Sequence, residues 1–230
     1  MSDPRSAGAG CPRGRFVVLE GIDGCGKTTQ IEALADWLPG SGLLPPGARL
    51  IRTREPGATP LGTALRHLLL HPDEAHAPCP AAELLLYAAD RAQHVQTVIL
   101  PALAAGHWVL SDRFVGSTAA YQGHGRGLDA SLIAQLEAIA TGGLQPDLTL
   151  WLDLPLEQSL ARRRQRPADR IEGAGAAFLA RVLAGFASEA QQRGWMRIAA
   201  EESPSQVSAA CRRALEQLQA SEPGAAGQAS

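Results

Sequence analysis

The densest chemistry in the chain lies between Gly21 and Thr28, which read GIDGCGKT. The segment matches G-x-x-x-x-G-K-[ST], follows an apolar run and opens a helical pattern, which is the context a phosphate-binding loop requires. Glycines let successive backbone N–H groups turn inward around a polyphosphate, and the helix start adds positive potential. The lysine ammonium reaches the β- and γ-phosphates, and the Ser/Thr hydroxyl reaches Mg²⁺. Gly21, Ile22, Asp23, Gly24, Cys25, Gly26, Lys27, Thr28 and Thr29 are therefore the candidate nucleoside-triphosphate-binding residues. Lys27 is the candidate catalytic cation and Thr28 a candidate metal contact. Of 21 basic residues, Lys27 is the single lysine, in a chain that otherwise uses arginine. A compact ammonium retained at one place marks a site where a planar guanidinium would not fit.

A partner acid for the metal belongs at the end of another buried strand. HWVLSDR puts Asp112 there, where it can hold Mg²⁺ through water, with Arg113 beside it. Asp153, after LTLWL, has a similar look but precedes a helix opening at Pro155, so it reads as a turn or cap residue. Further arginines sit in TREPG (Thr53–Gly57), in YAADR (Tyr87–Arg91) and in LARRRQRPADRIE, which holds Arg162, Arg163, Arg164, Arg166 and Arg170. The first two offer a second anion site, and the last reads as a mobile basic lid. Position 24 is Gly, so the loop has no arginine of its own to offset charge on a transferring phosphoryl group, and a lid could supply one.

Among reactions open to such a loop, a switch GTPase is excluded: the chain contains no Asn, so an NKxD guanine-reading motif cannot exist. A remodelling ATPase would add length and its own sensor elements. A small-molecule kinase remains, with a nucleotide-gated binding protein as the reading from a different class.

The positioning elements follow from periodicity. Short apolar runs RFVVLE (15–20), ARLIRT (48–53), HWVLSD (107–112), DLTLWLD (147–153) and WMRIA (195–199) read as five strands. Helical patterns occupy about Lys27–Leu38, Thr59–Leu70, Ala81–Ala105, Ala130–Ala140, Leu156–Arg164, Ala176–Arg193 and Ser205–Leu218. The alternation predicts an α/β fold, a parallel sheet covered by helices on both faces. At 230 residues with 45% hydrophobic and 19% charged residues, a single domain is expected over 14–220, with a lid at about 162–175. The Gly/Ser/Pro-rich residues 1–13 and 221–230 read as disordered tails.

Composition narrows the partners. A net charge of −2 gives no global attraction to nucleic acid or anionic membrane, and the arginine cluster has no interleaved aromatics. The most apolar stretch, Val95–Leu110, is interrupted by Gln96, Thr97, Pro101 and His107 and does not make a membrane span. Lacking an apolar leader, the chain is expected in the cytoplasm. Cys11, Cys25, Cys79 and Cys211 are far apart and suit reduced thiols. His67, His71, His76, His94 and His107 show no metal spacing and read as surface or helix-packing residues.

GIDGCGKTTQ, TREPGATPLG, LLYAADRAQHV, SDRFVGSTAAYQG and RPADRIE, in this order and spacing, resemble bacterial thymidylate kinases over about residues 14–218. The resemblance implies a P-loop NTPase fold with a five-stranded parallel sheet and an Arg-rich lid, a homodimer, and Mg²⁺-dependent phosphoryl transfer from ATP to dTMP. It also implies site residues. Asp23 would face the acceptor, Arg54 and Arg113 would hold the dTMP phosphate, with Pro56 beside them. Tyr87 would stack on thymine and Arg91 would bond it; Thr118 and Gln122 would line the base pocket. Tyr121 would exclude a ribose 2′-hydroxyl. Arg162 and Arg166 would join Lys27, Asp23 and Arg113 as catalytic residues, since Gly24 with an arginine-filled lid resembles the lid-arginine type. Ala58 replaces a usual Gly, His124 interrupts a Gly-rich stretch, and GAGAAF after RIE is poor in polar residues. A kinase for another nucleotide or nucleoside acceptor is the neighbouring alternative.

Overall fold

The computed structural model describes residues 13–72, 77–163 and 170–220. Its five strands, β1 (Phe16–Glu20), β2 (Leu50–Arg54), β3 (Trp108–Asp112), β4 (Leu148–Asp153) and β5 (Met196–Ala199), form one all-parallel sheet in the order β2-β3-β1-β4-β5. β1 lies in the middle, with Leu19 in register with Asp112 of β3 and Leu150 of β4. The carboxyl ends of β1, β2 and β3 therefore rise together, and the loops leaving them meet at one edge. That edge is where ligands bind in open parallel sheets.

Period-two alternation divides the core between the two faces. Val17, Leu19, Trp108, Leu110, Leu150 and Leu152 join one cluster, closed by Ile31 and Leu34, Val182 and Phe186, and Cys211 and Leu215. Phe16, Val18 and Val109 join another with Val95, Ile99, Leu103 and Phe114. Because both faces are covered, β1 is buried at every position, Glu20 included, as expected of a central parallel strand.

The helices are α1 (Lys27–Trp37), α2 (Pro60–Leu70), α3 (Pro80–His94), α4 (Leu100–Ala104), α5 (Val115–Thr118), α6 (Ala130–Thr141), α7 (Leu156–Arg163), α8 (Ala176–Arg193) and α9 (Pro204–Ala220). Caps set their starts: Thr59 Oγ1 accepts from the Gly62 N–H at 2.9 Å, and Asp129 accepts from the N–H groups of Ser131 and Leu132 at 2.8 and 3.1 Å. A wide π turn, Val95–Ile99, joins α3 to α4, so the single long helix expected over 81–105 is one rod of three segments.

The segment between β3 and α6 departs from expectation, which placed no helix there. α5 runs into a π-helical stretch, Ala119–Gly125. Its placement is tertiary: a Cβ on Gly116 would lie 2.2 Å from the Trp195 ring, so only glycine permits this approach. Both expected tails lie outside the described residues except for Arg13, and residues 164–169 of the expected lid do too. After it, Arg170 begins a turn that leads into a short 3₁₀ segment, Glu172–Ala174.

Candidate active site

The phosphate loop leaves β1 at Gly21 and enters α1 at Lys27. Gly21 has φ +142°, and a Cβ there would meet the Leu152 carbonyl oxygen at 2.6 Å, so the turn admits no side chain. Lys27 is buried and folds back across its own loop, donating from Nζ to the carbonyls of Gly21 at 2.9 Å and Ile22 at 3.1 Å. Cys25 Sγ lies 3.7 Å from the same nitrogen, and burial pushes its thiol pKa up, so it stays an uncharged lining atom.

Two hollows flank this loop. One is a cavity of about 310 Å³ lined by Thr28, Arg54 and Asp112 with Ile31, Glu32, Arg52, Thr53 and Ala58. Asp112 Oδ1 is buried there without a hydrogen-bond partner among the described residues. An orphaned carboxylate oxygen beside a threonine hydroxyl is the donor set of a hard cation held partly through water, and these residues fit Mg²⁺. Arg54, at the end of β2, is exposed and makes no hydrogen bond or ion pair among the described residues.

The other hollow is a cleft lined by Asp23, Pro56, Tyr87, Arg91, Arg113, Thr118, Tyr121 and Gln122, together with Glu55, Arg66, Leu70, Phe114, Ser117 and Ile171. All the sequence-derived acceptor residues except Arg54 converge on it. Arg113 is its centre. With φ +72° the residue is left-handed, and its guanidinium turns back over the phosphate loop. Nη1 donates to the Gly21 carbonyl at 3.1 Å and to Ser117 Oγ at 2.8 Å, while Nη2 pairs with Asp23. Tyr121 donates to the other Asp23 oxygen at 2.6 Å. Burial alone would raise the Asp23 pKa, but Arg113 and Lys27 outweigh it and hold the carboxyl well below the usual carboxylate range. Asp23 is thus a fixed negative charge that aims Arg113.

The chain matches the family model for thymidylate kinase over residues 19–211. A thymidylate kinase of Synechococcus sp. strain WH7803 is 69% identical over 204 residues, 89% of this chain and 96% of that protein. One from Prochlorococcus marinus strain MIT 9313 is 64% identical over 86% of this chain and 91% of its own. The crystal structure of thymidylate kinase from Ehrlichia chaffeensis superposes with a TM-score of 0.71 at 32% identity, covering 89% of this chain and 99% of that one. The chain belongs to the thymidylate kinase family.

Four residues along one wall of the cleft and behind it form a stripe on α3. Tyr87, Asp90, Arg91 and His94 are spaced i, i+3, i+4, i+7 on α3 and share a face. Arg91 is buried, donating from Nε to Glu55 Oε2 at 2.8 Å and from Nη2 to the Phe114 carbonyl at 3.0 Å. Gln122 donates to Glu83 Oε1 at 2.7 Å, which orients it along the cleft wall. Glu83, fully buried, also pairs with Arg126 and Arg170. Arg170, expected as part of the lid, is therefore anchored at its base, with Nε on the Leu69 carbonyl at 2.9 Å. The Glu55–Pro56 peptide is cis.

The lid arginines are only partly in view. Arg162 docks on the outer side of the phosphate loop, with Nη1 3.4 Å from the Gly24 carbonyl and Nη2 3.1 Å from that of Ala200. Arg163 is buried, and its Cγ lies 3.2 Å from where a Cβ on Gly24 would be. Arg164 and Arg166 lie outside the described residues.

Sequence reasoning missed three site residues. Glu20 is buried at the end of β1, where Oε1 accepts from the Phe114 and Ser117 N–H groups at 2.9 and 3.0 Å and Oε2 from Ser117 Oγ at 2.6 Å. It caps α5 and seats Ser117 against Arg113; burial raises its pKa, with Arg113 opposing. An acid closing the apolar run FVVLE was the available signal. Glu55 and His94 are the others: His94, expected as a surface or helix-packing residue, is fully buried on α3 and hydrogen-bonded at both ring nitrogens, so the surface reading is overturned and the packing one holds, and its i+7 spacing from Tyr87 pointed to it.

Proposed function

We infer that this protein transfers the γ-phosphoryl group of MgATP to dTMP, giving dTDP and ADP on the route to dTTP. The observation that carries the reading is the pairing of an intact phosphate loop with a second, arginine-centred cleft on its flank, in a chain of the thymidylate kinase family. A phosphate monoester has a second pKa near ~6 and is largely dianionic at neutral pH, so the acceptor needs no general base. What the site must supply is alignment and charge compensation.

Lys27 exchanges the Gly21 and Ile22 carbonyls for β- and γ-phosphate oxygens. Thr28 and Asp112 would hold Mg²⁺, which would supply further neutralisation of phosphate charge. Arg113, aimed by Asp23 and Ser117, takes the acceptor phosphate from one side. Arg54, exposed at the rim of the neighbouring hollow, closes on it from the other. Tyr87 supplies an aromatic face for thymine, Arg91 a donor for its carbonyl edge, and Thr118 and Gln122 line its pocket. Tyr121, pinned to Asp23, stands where a ribose 2′-hydroxyl would press. Arg162 and Arg166 complete the charge compensation on closure, because the loop itself carries glycine, not arginine, at position 24.

The working form in this proposal is a homodimer. α2 and α6 both pack against α3, and this layer leaves Leu61, Leu68, Leu85, Leu132 and Ile139 exposed, an apolar face that a second copy would cover. We place the enzyme in the cytoplasm, in keeping with the free thiols of Cys25, Cys79 and Cys211. Among the described residues no helix is long and apolar enough to cross a membrane. Acceptor specificity tests the reading: turnover with MgATP should centre on dTMP, with dUMP weaker.

A further inference from the structure

Behind the acceptor cleft lies a chain of buried polar groups that the reaction as described does not use. Thr53 Oγ1 is 2.6 Å from His94 Nε2, and His94 Nδ1 is 2.8 Å from Glu55 Oε1. Glu55 Oε2 accepts from Arg91 Nε at 2.8 Å. The side chains of His94, Glu55 and Arg91 are 0%, 3% and 4% exposed, so water does not compete for these bonds. In a neutral imidazole these contacts are satisfied when the threonine hydroxyl donates to Nε2 and Nδ1–H donates to a carboxylate whose second oxygen holds the guanidinium.

The imidazole thus cross-links the end of β2, the turn after it and α3. Glu55 would otherwise be held at its carboxylate by Arg91 alone, and the guanidinium would keep only the Phe114 carbonyl at Nη2 as a fixed partner. With His94 in place the carboxylate is fixed, Arg91 Nε and Nη2 are both engaged, and Nη1 is left without a protein partner among the described residues. Arg91 also lines the cleft.

We propose that His94 is a positioning residue which, through Glu55, fixes Arg91 so that the cleft selects pyrimidines carrying a carbonyl at the 4-position over those carrying an amine there. A guanidinium donates and cannot accept, so an aimed Arg91 rewards a keto oxygen and leaves a 4-amino group facing a donor. A loosely held guanidinium can turn aside, and the penalty on the amine disappears. The inference rests on the reading of the cleft as a pyrimidine nucleotide site.

The test uses three substitutions that separate the two ring nitrogens. His94→Asn keeps a donor near the Nδ1 position, His94→Gln keeps a polar atom near Nε2, and His94→Phe fills the space without either. In His94→Gln and His94→Phe, the KM for dTMP should rise roughly 10-fold or more while the KM for ATP and kcat stay within about 3-fold, the split expected from lost positioning on one substrate. The ratio of the dCMP inhibition constant to the dTMP KM should fall by about 10-fold in both, and His94→Asn should restore it to within about 3-fold of the parent. Unchanged discrimination in His94→Gln and His94→Phe with only a lower Tm, or a His94→Asn as impaired as His94→Phe, would overturn the inference while leaving the dTMP reading intact. A parent enzyme with no turnover of dTMP would overturn that reading first, and this one with it.

Discussion

Arg113 and Asp23 form an ion pair across 90 residues of sequence, and the pair spans the boundary between the phosphate loop and the acceptor cleft. One end of the contact lies in the phosphate loop, at Asp23. The other is a left-handed residue leaving the neighbouring strand, so the loop and the cleft are tied together by one half-buried charge pair.

Removing that guanidinium should be felt most by one substrate. Charged hydrogen bonds contribute about 1.5–3 kcal/mol each, so Arg113→Ala should raise the KM for dTMP roughly 10–100-fold. The KM for ATP should rise less than that for dTMP, because Lys27 and its bonds to the Gly21 and Ile22 carbonyls remain although the loop loses its contacts from Arg113. Steady-state kinetics with each substrate varied in turn checks this.

Asp112 carries the prediction about metal. Its Oδ1 is buried and unpartnered beside Thr28. Asp112→Asn preserves shape and removes charge, so the Mg²⁺ concentration for half-maximal activity should rise about 10-fold or more. ADP binding measured by calorimetry with and without Mg²⁺ gives a second readout, in which the metal's contribution should shrink in the variant.

Asp90 sets a pH dependence of stability. Burial, with Glu55 adding to it, pushes its pKa up to about 6, and its Oδ1 accepts from the Gly57 N–H at 3.0 Å. Nearby His94 and Arg91 oppose the shift. The folded state therefore binds a proton that the unfolded chain releases near pH 3.8, and between these values stability falls as pH rises. Asp90→Asn keeps the bond to Gly57 and cannot ionise. Its Tm relative to the parent should increase from pH 4.5 to pH 7.5, and a pH-independent difference would contradict the assignment.

The fold was legible because its signals are local. FVVLE, WVLSD and LTLWLD are apolar runs of strand length, and each became a strand within a residue or two of the pattern. The helix over Ala176–Arg193 matched its periodicity from end to end. By contrast, Val115–Gly125 was illegible, since Gly116, Gly123 and Gly125 dilute its pattern and its helicity comes from Glu20 capping it and Trp195 and Phe178 packing on it. The site divides the same way. The phosphate loop is contiguous and read directly, and the cleft residues came through resemblance. Glu20, Glu55 and His94 act through partners 36 to 97 residues away, contacts that no single segment displays.

The lid arginines are predicted to act late in the reaction. Arg162 rests on the Gly24 and Ala200 carbonyls, from which it can swing without breaking a buried ion pair. The double change Arg162→Ala with Arg166→Ala should lower kcat on the order of 100-fold and leave the dTMP KM within about 3-fold. A variant that loses only thermal stability would remove these residues from the chemistry.

The most direct measurement is coupled ADP release with MgATP and a panel of dTMP, dUMP, UMP, dCMP, AMP, GMP and thymidine, run beside Lys27→Ala. Efficient turnover of dTMP, weaker turnover of dUMP, little with the others, and a loss of more than ~100-fold in Lys27→Ala is the predicted result. Efficient turnover of a different acceptor, or near-normal turnover in Lys27→Ala, would contradict the account.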